Sequence, residues 1–170
     1  MSQFKFCNVA LDTTTTFNAG TSVTAAADVF MQLGLPSNQS IRLIEFGFSQ
    51  DVATATSTQL KIQTCSAGST LSTAGSTTLI KPLVERDGRA SSLTMSTSTT
   101  AVHSSGANVS PATRTAFRDI VELYVPQVYV FQWPLGGYPV AVNANETIVQ
   151  MLIKPTATVN VIAWMVWDEL

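Results

Sequence analysis

The chain has 170 residues, of which 45% are hydrophobic, and this is enough for a single domain with a full core. Only 12% of the residues are charged, against about 25% in typical soluble domains, and the net charge is −2. These values argue against general disorder and against the basic footprint of a nucleic-acid-binding protein. No stretch approaches the roughly 20 apolar residues of a membrane span, so we predict neither a nucleic-acid partner nor a membrane partner.

The N-terminal stretch, residues 1–27, begins with an alternation around Phe4 and Phe6 and then becomes rich in threonine and small residues. We interpret it as a first strand followed by irregular chain, and as a candidate extended arm of the single domain that spans residues 1–170. Residues 1–7 contain no apolar signal-peptide core. If this is the native start, we expect synthesis in the cytoplasm without export through the Sec pathway.

Residues 40–49 form the clearest strand outside the C-terminal part. Their alternation places Ile44, Phe46 and Phe48 on one face and Ile41 on the opposite face. Residues 59–65 alternate apolar and polar side chains, which indicates a half-exposed antiparallel strand.

The polar region Ala90–Pro111 is long for a structureless loop in a compact domain, and the spacing of its apolar residues permits a short strand near its start. Residues 113–120 fit either a strand or a single helical turn. Only residues 28–33 and 115–122 leave room for a short helix, so the sequence predicts an essentially all-β protein.

The C-terminal stretch, residues 125–170, holds all three tryptophans and the most regular alternation in the chain. Residues 147–153 and 159–167 are rich in β-branched and aromatic residues, and the short connection between them predicts a hairpin. The turn-rich bend Trp133–Pro139 lies upstream between two apolar runs, so we interpret this part as a meander. The pattern of about eight short strands separated by turns predicts an antiparallel β-sandwich or barrel with long polar loops.

No reaction centre is recognisable in the sequence. The only histidine, His103, lies in a Ser/Thr-rich loop, and no GxSxG motif accompanies it. Glu45 is of interest because it lies within a strand, but no second acid at a characteristic spacing singles it out. Phosphate-binding glycine loops and metal-ligand motifs are absent from the sequence. We therefore predict a protein that is not an enzyme and has no catalytic residues, no cofactor and no bound metal.

The two cysteines, Cys7 and Cys65, could form a disulfide. Cytoplasmic synthesis favours two buried thiols instead. The sequence leaves both alternatives open.

The aromatic residues of the C-terminal stretch are candidates for contact with a partner. Alternating aromatics on strands are more often part of a core or a subunit interface than of a sugar-stacking platform. We select Trp133, Tyr138 and Trp167 as candidate interface or ligand-stacking residues.

Several segments together give a family resemblance that covers about half of the chain. They are the bend Trp133–Pro139 with the following residues 140–147, the segment 154–161, the ending Trp167-Asp168-Glu169, and the strand residues 41–47. This pattern resembles the jelly-roll capsid decoration (cement) proteins of tailed bacteriophages.

The resemblance implies a jelly-roll β-sandwich and a non-enzymatic structural protein of the virion. Such a protein would be made in the host cytoplasm, lie on the capsid surface as a homotrimer, and bind and stabilise the lattice of the major capsid protein. The alternative that the sequence leaves open is a carbohydrate- or receptor-binding β-sandwich module of a phage tail or fibre.

Overall fold

In a computed structural model, the described part of the chain forms two antiparallel β-sheets and contains no helix. The structure describes residues 2–8, 21–23, 31–36, 38–51, 57–65, 80–83, 90–97, 114–123, 128–134, 136–138, 140–142 and 148–170. The strands are β1 (Ser2–Cys7), β2 (Thr21–Val23), β3 (Met31–Gly34), β4 (Ser40–Asp51), β5 (Thr58–Cys65), β6 (Ile80–Pro82), β7 (Thr94–Thr97), β8 (Arg114–Leu123), β9 (Val128–Gln132), β10 (Val140–Val142), β11 (Ile148–Pro155) and β12 (Val159–Glu169). The predicted all-β, antiparallel class is confirmed.

Sheet A contains seven strands in the order β10-β4-β12-β1-β6, with β9 also paired to β4 and β2 also paired to β12. β9 and β10 follow one another along the same edge of β4. In the same way, β1 and β2 follow one another along β12. β4 and β12 are therefore the central strands of this sheet, and each is flanked on both sides.

Sheet B contains five strands in the order β7-β3-β11-β5-β8. Residues of both sheets belong to one buried hydrophobic cluster, so the fold is a β-sandwich. Sheet A contributes Phe4, Phe46 and Trp167 to this cluster, and sheet B contributes Met31 and Ile62. Burying one such side chain is worth about 1.5–3 kcal/mol or more, so the shared core holds the two sheets together.

The predicted C-terminal hairpin is wrong. β11 pairs with β3 and β5 in sheet B, whereas β12 pairs with β1, β2 and β4 in sheet A. The connection after Pro155 crosses between the sheets, and its Thr156 N–H donates to the Ser57 carbonyl at 2.9 Å. The predicted meander is wrong for the same reason. A short connection fits both arrangements, and the apolar alternation of a strand does not identify the strand with which it pairs.

A β-bulge in β4 changes which of its residues face the core. β12 pairs first with Glu45 and then with Leu43, so Ile44 lies outside the regular register. Beyond the bulge, Ile41 and Leu43 join Phe46 in the buried cluster. The predicted alternation, which placed Ile41 opposite Phe46, is therefore wrong.

The strand predicted at residues 59–65 is confirmed as β5, and the short strand that the start of the polar region permits is β7. Residues 31–33 and 115–122, where the sequence left room for a short helix, lie in the strands β3 and β8. Within the candidate N-terminal arm, β1 lies between β12 and β6 in sheet A, and β2 pairs with β12. Except for Asn8, the rest of residues 1–27 lies outside the described residues, as does His103.

Candidate interaction surface

The bend between β9 and β10 carries two of the three aromatic residues predicted to contact a partner. Both strands pair with β4, so the chain leaves this edge of sheet A after β9 and rejoins it at β10. The backbone N–H of Trp133 donates to the carbonyl of Ile44 at 3.1 Å, which extends the β9 pairing to the bulge in β4. The bend predicted from the sequence is thus confirmed, and it starts opposite the β-bulge of β4.

The turn within this bend has a defined backbone geometry. The N–H of Gly137 donates to the carbonyl of Pro134 at 2.9 Å, which closes a four-residue turn. Gly136, the third residue, has a φ of 85°, as a type II turn requires at that position. Pro134, Gly136 and Gly137 are exposed. The turn is therefore exposed at the sheet edge and has a defined backbone conformation.

Trp133 connects the bend to the hydrophobic core. Its ring is centred 5.3 Å from that of Phe46 and 5.0 Å from that of Phe131, the second contact being edge to face. It packs against the buried cluster but stays partly exposed. Its indole is therefore held in place by packing, with part of its surface left open to solvent.

Tyr138 lies at the other end of the turn, against a cation. The guanidinium of Arg42 is 5.7 Å from the centroid of its ring, which is a cation–π contact. Both residues are partly exposed. The bend surface, which we define as Trp133, Pro134, Gly136, Gly137, Tyr138 and Arg42, thus combines two positioned aromatic rings with one positive charge.

Trp167, the third candidate, is not part of the bend surface. It is wholly buried, and its ring stacks on Phe4 at a centroid distance of 6.0 Å. It is a core residue and cannot stack on a ligand without opening the sandwich.

β9 exposes two apolar side chains that the sequence did not single out. Val128 is 69% exposed and Val130 is 50% exposed, whereas Tyr129 and Phe131, which alternate with them, pack against the core. The sequence shows apolar residues at all four positions, so it could not distinguish the covered face from the open one.

A polar cluster on the outer face of sheet A surrounds Trp164. The indole Nε1 of Trp164 donates to Glu45 Oε1 at 2.8 Å, and the ammonium of Lys5 lies 5.0 Å from the centroid of the Trp164 ring. Glu45, the carboxylate noted in the sequence, therefore accepts a hydrogen bond that positions an indole between β4 and β12.

The described residues contain no group of three or more His, Cys, Asp or Glu side chains placed to hold a metal ion. They also contain no helix long and apolar enough to cross a membrane. The bend surface and the exposed face of β9 are the candidate interaction surfaces among the described residues.

Comparison of the chain with protein-family models, with curated proteins and with solved structures gives no match.

Proposed function

We propose that this protein is a capsid decoration (cement) protein of a tailed bacteriophage, which lies on the virion surface and stabilises the lattice of the major capsid protein. The observation that carries the proposal is the bend surface. It places Trp133 and the contacting pair of Tyr138 and Arg42 along one edge of sheet A. Tryptophan, tyrosine and arginine are the residue types most enriched among the hot spots of protein–protein interfaces.

The rigidity of the bend surface supports the same function. Trp133 is fixed by the core and Tyr138 by its contact with Arg42, so little side-chain entropy is lost when a partner binds. The chain carries no charged residue between Glu122 and Glu146, and the bend lies within this segment. Apart from Arg42, which β4 supplies, binding there depends on shape and apolar contact, which suits a flat, repeating protein surface.

The strand order supports the finer proposal that the sandwich is a jelly roll. Eight of the strands form two four-stranded sheets, β1-β12-β4-β9 and β3-β11-β5-β8. Most consecutive members of this set lie in opposite sheets, as expected for eight strands arranged as two Greek keys. The capsid decoration proteins that the sequence resembles share this architecture.

The proposed homotrimer would present three bend surfaces to the lattice. Once one bend binds, the other two act at a high effective concentration, so modest contacts add to a stable attachment. A decoration protein with this arrangement stabilises the shell by linking neighbouring capsid subunits.

The test is co-sedimentation of the purified protein with shells assembled from the major capsid protein of the same genome. We expect the wild-type protein to bind, and Tyr138→Ala or Arg42→Ala to weaken binding at least tenfold, as the loss of a hot-spot contact does. Leu83→Ala is the matched control, because Leu83 is an exposed apolar residue next to β6, at the opposite edge of sheet A. A wild-type protein that does not bind shells would refute the proposal.

A glycan array separates the alternative function from the proposed one. Specific glycan binding that is lost in Trp133→Ala, together with no binding to shells, would identify a carbohydrate-binding module. Thermal unfolding of each variant confirms that the folded state is retained, which matters most for Trp133 because it packs against the core.

A further inference from the structure

The outer edge of β9 presents a row of backbone hydrogen-bonding groups. Trp133 N–H points to β4, where it donates to Ile44, and the register of β9 on β4 continues without a shift from Gln132 to Val128. In an antiparallel pair, alternate residues direct both their N–H and C=O groups to the neighbour. Val128, Val130 and Gln132 therefore direct theirs away from β4.

The same three residues also have exposed side chains. Among the described strands, β4 is the one that pairs with β9. An exposed apolar edge strand of this kind is a template for pairing with another strand.

The row of outward groups is symmetric in sequence about Val130. Proline, which has no N–H, occupies position 126 on one side and position 134 on the other. The outward N–H donors between the two prolines belong to Val128, Val130 and Gln132. These positions map onto themselves when a second copy of β9 pairs antiparallel with the first about Val130.

The charge pattern favours a second copy of this chain as the occupant. When two identical strands pair about a twofold axis, a charge near the axis is brought close to its own copy, which is destabilising. β9 has no charged residue, so it can meet its own copy without charge repulsion in any register. The edge strand β6 contains Lys81 and the edge strand β8 contains Arg114, Arg118, Asp119 and Glu122, so each can pair with its own copy only in registers that separate like charges. The edge strands β7 and β10 are also uncharged but are shorter than β9.

We propose that two copies of the protein associate through β9, antiparallel, about a twofold axis at Val130. Val130 then pairs with Val130 of the second copy, and Val128 pairs with Gln132 of the second copy. Each of the three outward residues donates and accepts one bond, which gives about six hydrogen bonds across the axis. Sheet A continues from one copy into the other, and the exposed valines of both copies adjoin on its outer face.

This association does not depend on the capsid function. It forms a dimer from a monomer, and it links one trimer to another if the protein is a trimer. Solution mass measures it without any shell, whereas shell binding measures the proposed function, so the failure of one is distinguishable from the failure of the other.

The first experiment measures the solution mass of the wild-type protein and of Val130→Lys over a wide concentration range. We expect concentration-dependent doubling of the mass for the wild type. Val130→Lys should weaken the association at least tenfold, because the two ammonium groups face each other across the axis. Leu83→Lys is the control, since Leu83 is similarly exposed, at 46%, but lies next to the other edge of sheet A. A wild type that never doubles its mass, or doubling that Val130→Lys leaves unchanged, overturns the proposal.

The second experiment tests the register. Val128→Lys and Gln132→Glu are made singly and together. Within one strand these positions are about 13 Å apart, too far for an ion pair, but in the proposed dimer each faces the other across the axis. Two symmetric ion pairs then make the double variant associate about tenfold more tightly than the two single changes predict. A double variant without this gain overturns the pairing about Val130.

Discussion

The indole of Trp164 lies over Gly47 on the outer face of sheet A. A Cβ atom at Gly47 would collide with the indole ring and would also stand 2.7 Å from the carbonyl oxygen of Tyr129. The absence of a side chain at this position therefore lets β12 and β9 pack closely on either side of β4. Because β9 leads directly into the bend, this packing helps to fix where the candidate interaction surface lies.

We expect Gly47→Ala to destabilise the protein by about 1–3 kcal/mol, since the added methyl group overpacks a site bounded on one side by backbone. Chemical denaturation measures the free energy of unfolding. Ser49→Ala is the matched control on the same face of β4, where a Cβ is already present, and it should change stability by less than about 0.5 kcal/mol. Equal effects at the two positions would show that the contact with Trp164 is unimportant.

The sequence predicts that Gly47 lies in a strand, but it does not show the contact with Trp164 that requires glycine there. Local alternation is sufficient to find strands such as β5, in which buried Leu60 and Ile62 alternate with polar neighbours. It fails where two strands choose partners, because pairing depends on residues far away in the chain. β11 and β12 follow each other directly and still lie in different sheets.

The bulge in β4 did leave a local signal. Leu43 and Ile44 are adjacent apolar residues. The apolar positions before them are odd-numbered, Ile41 and Leu43, and those after them are even-numbered, Phe46 and Phe48, so the alternation shifts by one residue at this point. A strand that must bury both pairs on one face needs one extra residue between them.

The candidate site was predictable only in part, since Trp133 and Tyr138 lie at the bend, whereas Trp167 is in the core.

Asn8 supplies by its side chain the hydrogen bonds that a strand would supply by its backbone. Ala163 N–H donates to Asn8 Oδ1 at 2.8 Å, and Asn8 Nδ2 donates to the Val161 carbonyl at 2.9 Å. The backbone N–H of Asn8 also donates to the Ala163 carbonyl at 3.1 Å. The residue thus fills the gap between β1 and β2 along β12.

We expect Asn8→Asp to lower the free energy of unfolding by about 1–3 kcal/mol. A carboxylate cannot donate to Val161, and that carbonyl is left without its buried partner. Thermal or chemical unfolding measures the loss, with Ser22→Ala as a control that should have little effect because the Ser22 side chain is exposed. An unchanged stability for Asn8→Asp would contradict the role assigned to the amide group.

The buried carboxylate of Glu169 fastens the end of β12 to the segment that precedes β7. It accepts hydrogen bonds from Ser91 Oγ, and from the N–H and Oγ of Ser92, both at 3.1 Å. These donors approach both carboxylate oxygens. Glu169→Gln replaces one of these oxygens with an amide N–H₂ group, which then faces a donor and cannot accept its hydrogen bond. We expect a loss of about 1.5–3 kcal/mol, as for hydrogen bonds to a charged group.

Leu170→Ala is the control for this prediction, because its side chain is exposed and its backbone bond to Ser40 is kept. It should change the free energy of unfolding by less than about 0.5 kcal/mol. A double-mutant cycle with Ser92→Ala then isolates the contact, since coupled residues do not add. Additive losses in the cycle would mean that Glu169 and Ser92 act independently.

Gly136 allows a separate test of the bend, because a side chain there meets no steric obstacle. Nothing lies within 4 Å of a Cβ built on it, yet its φ is 85°. The cost of Gly136→Ala is therefore backbone strain, about 1–2 kcal/mol, with no contribution from packing. Gly136→Asn should cost less, since asparagine adopts positive φ more readily than alanine. Chemical denaturation ranks the three proteins, and we expect stability to fall from glycine through asparagine to alanine. If alanine proved as stable as glycine, the type II turn could not be what positions Trp133 and Tyr138.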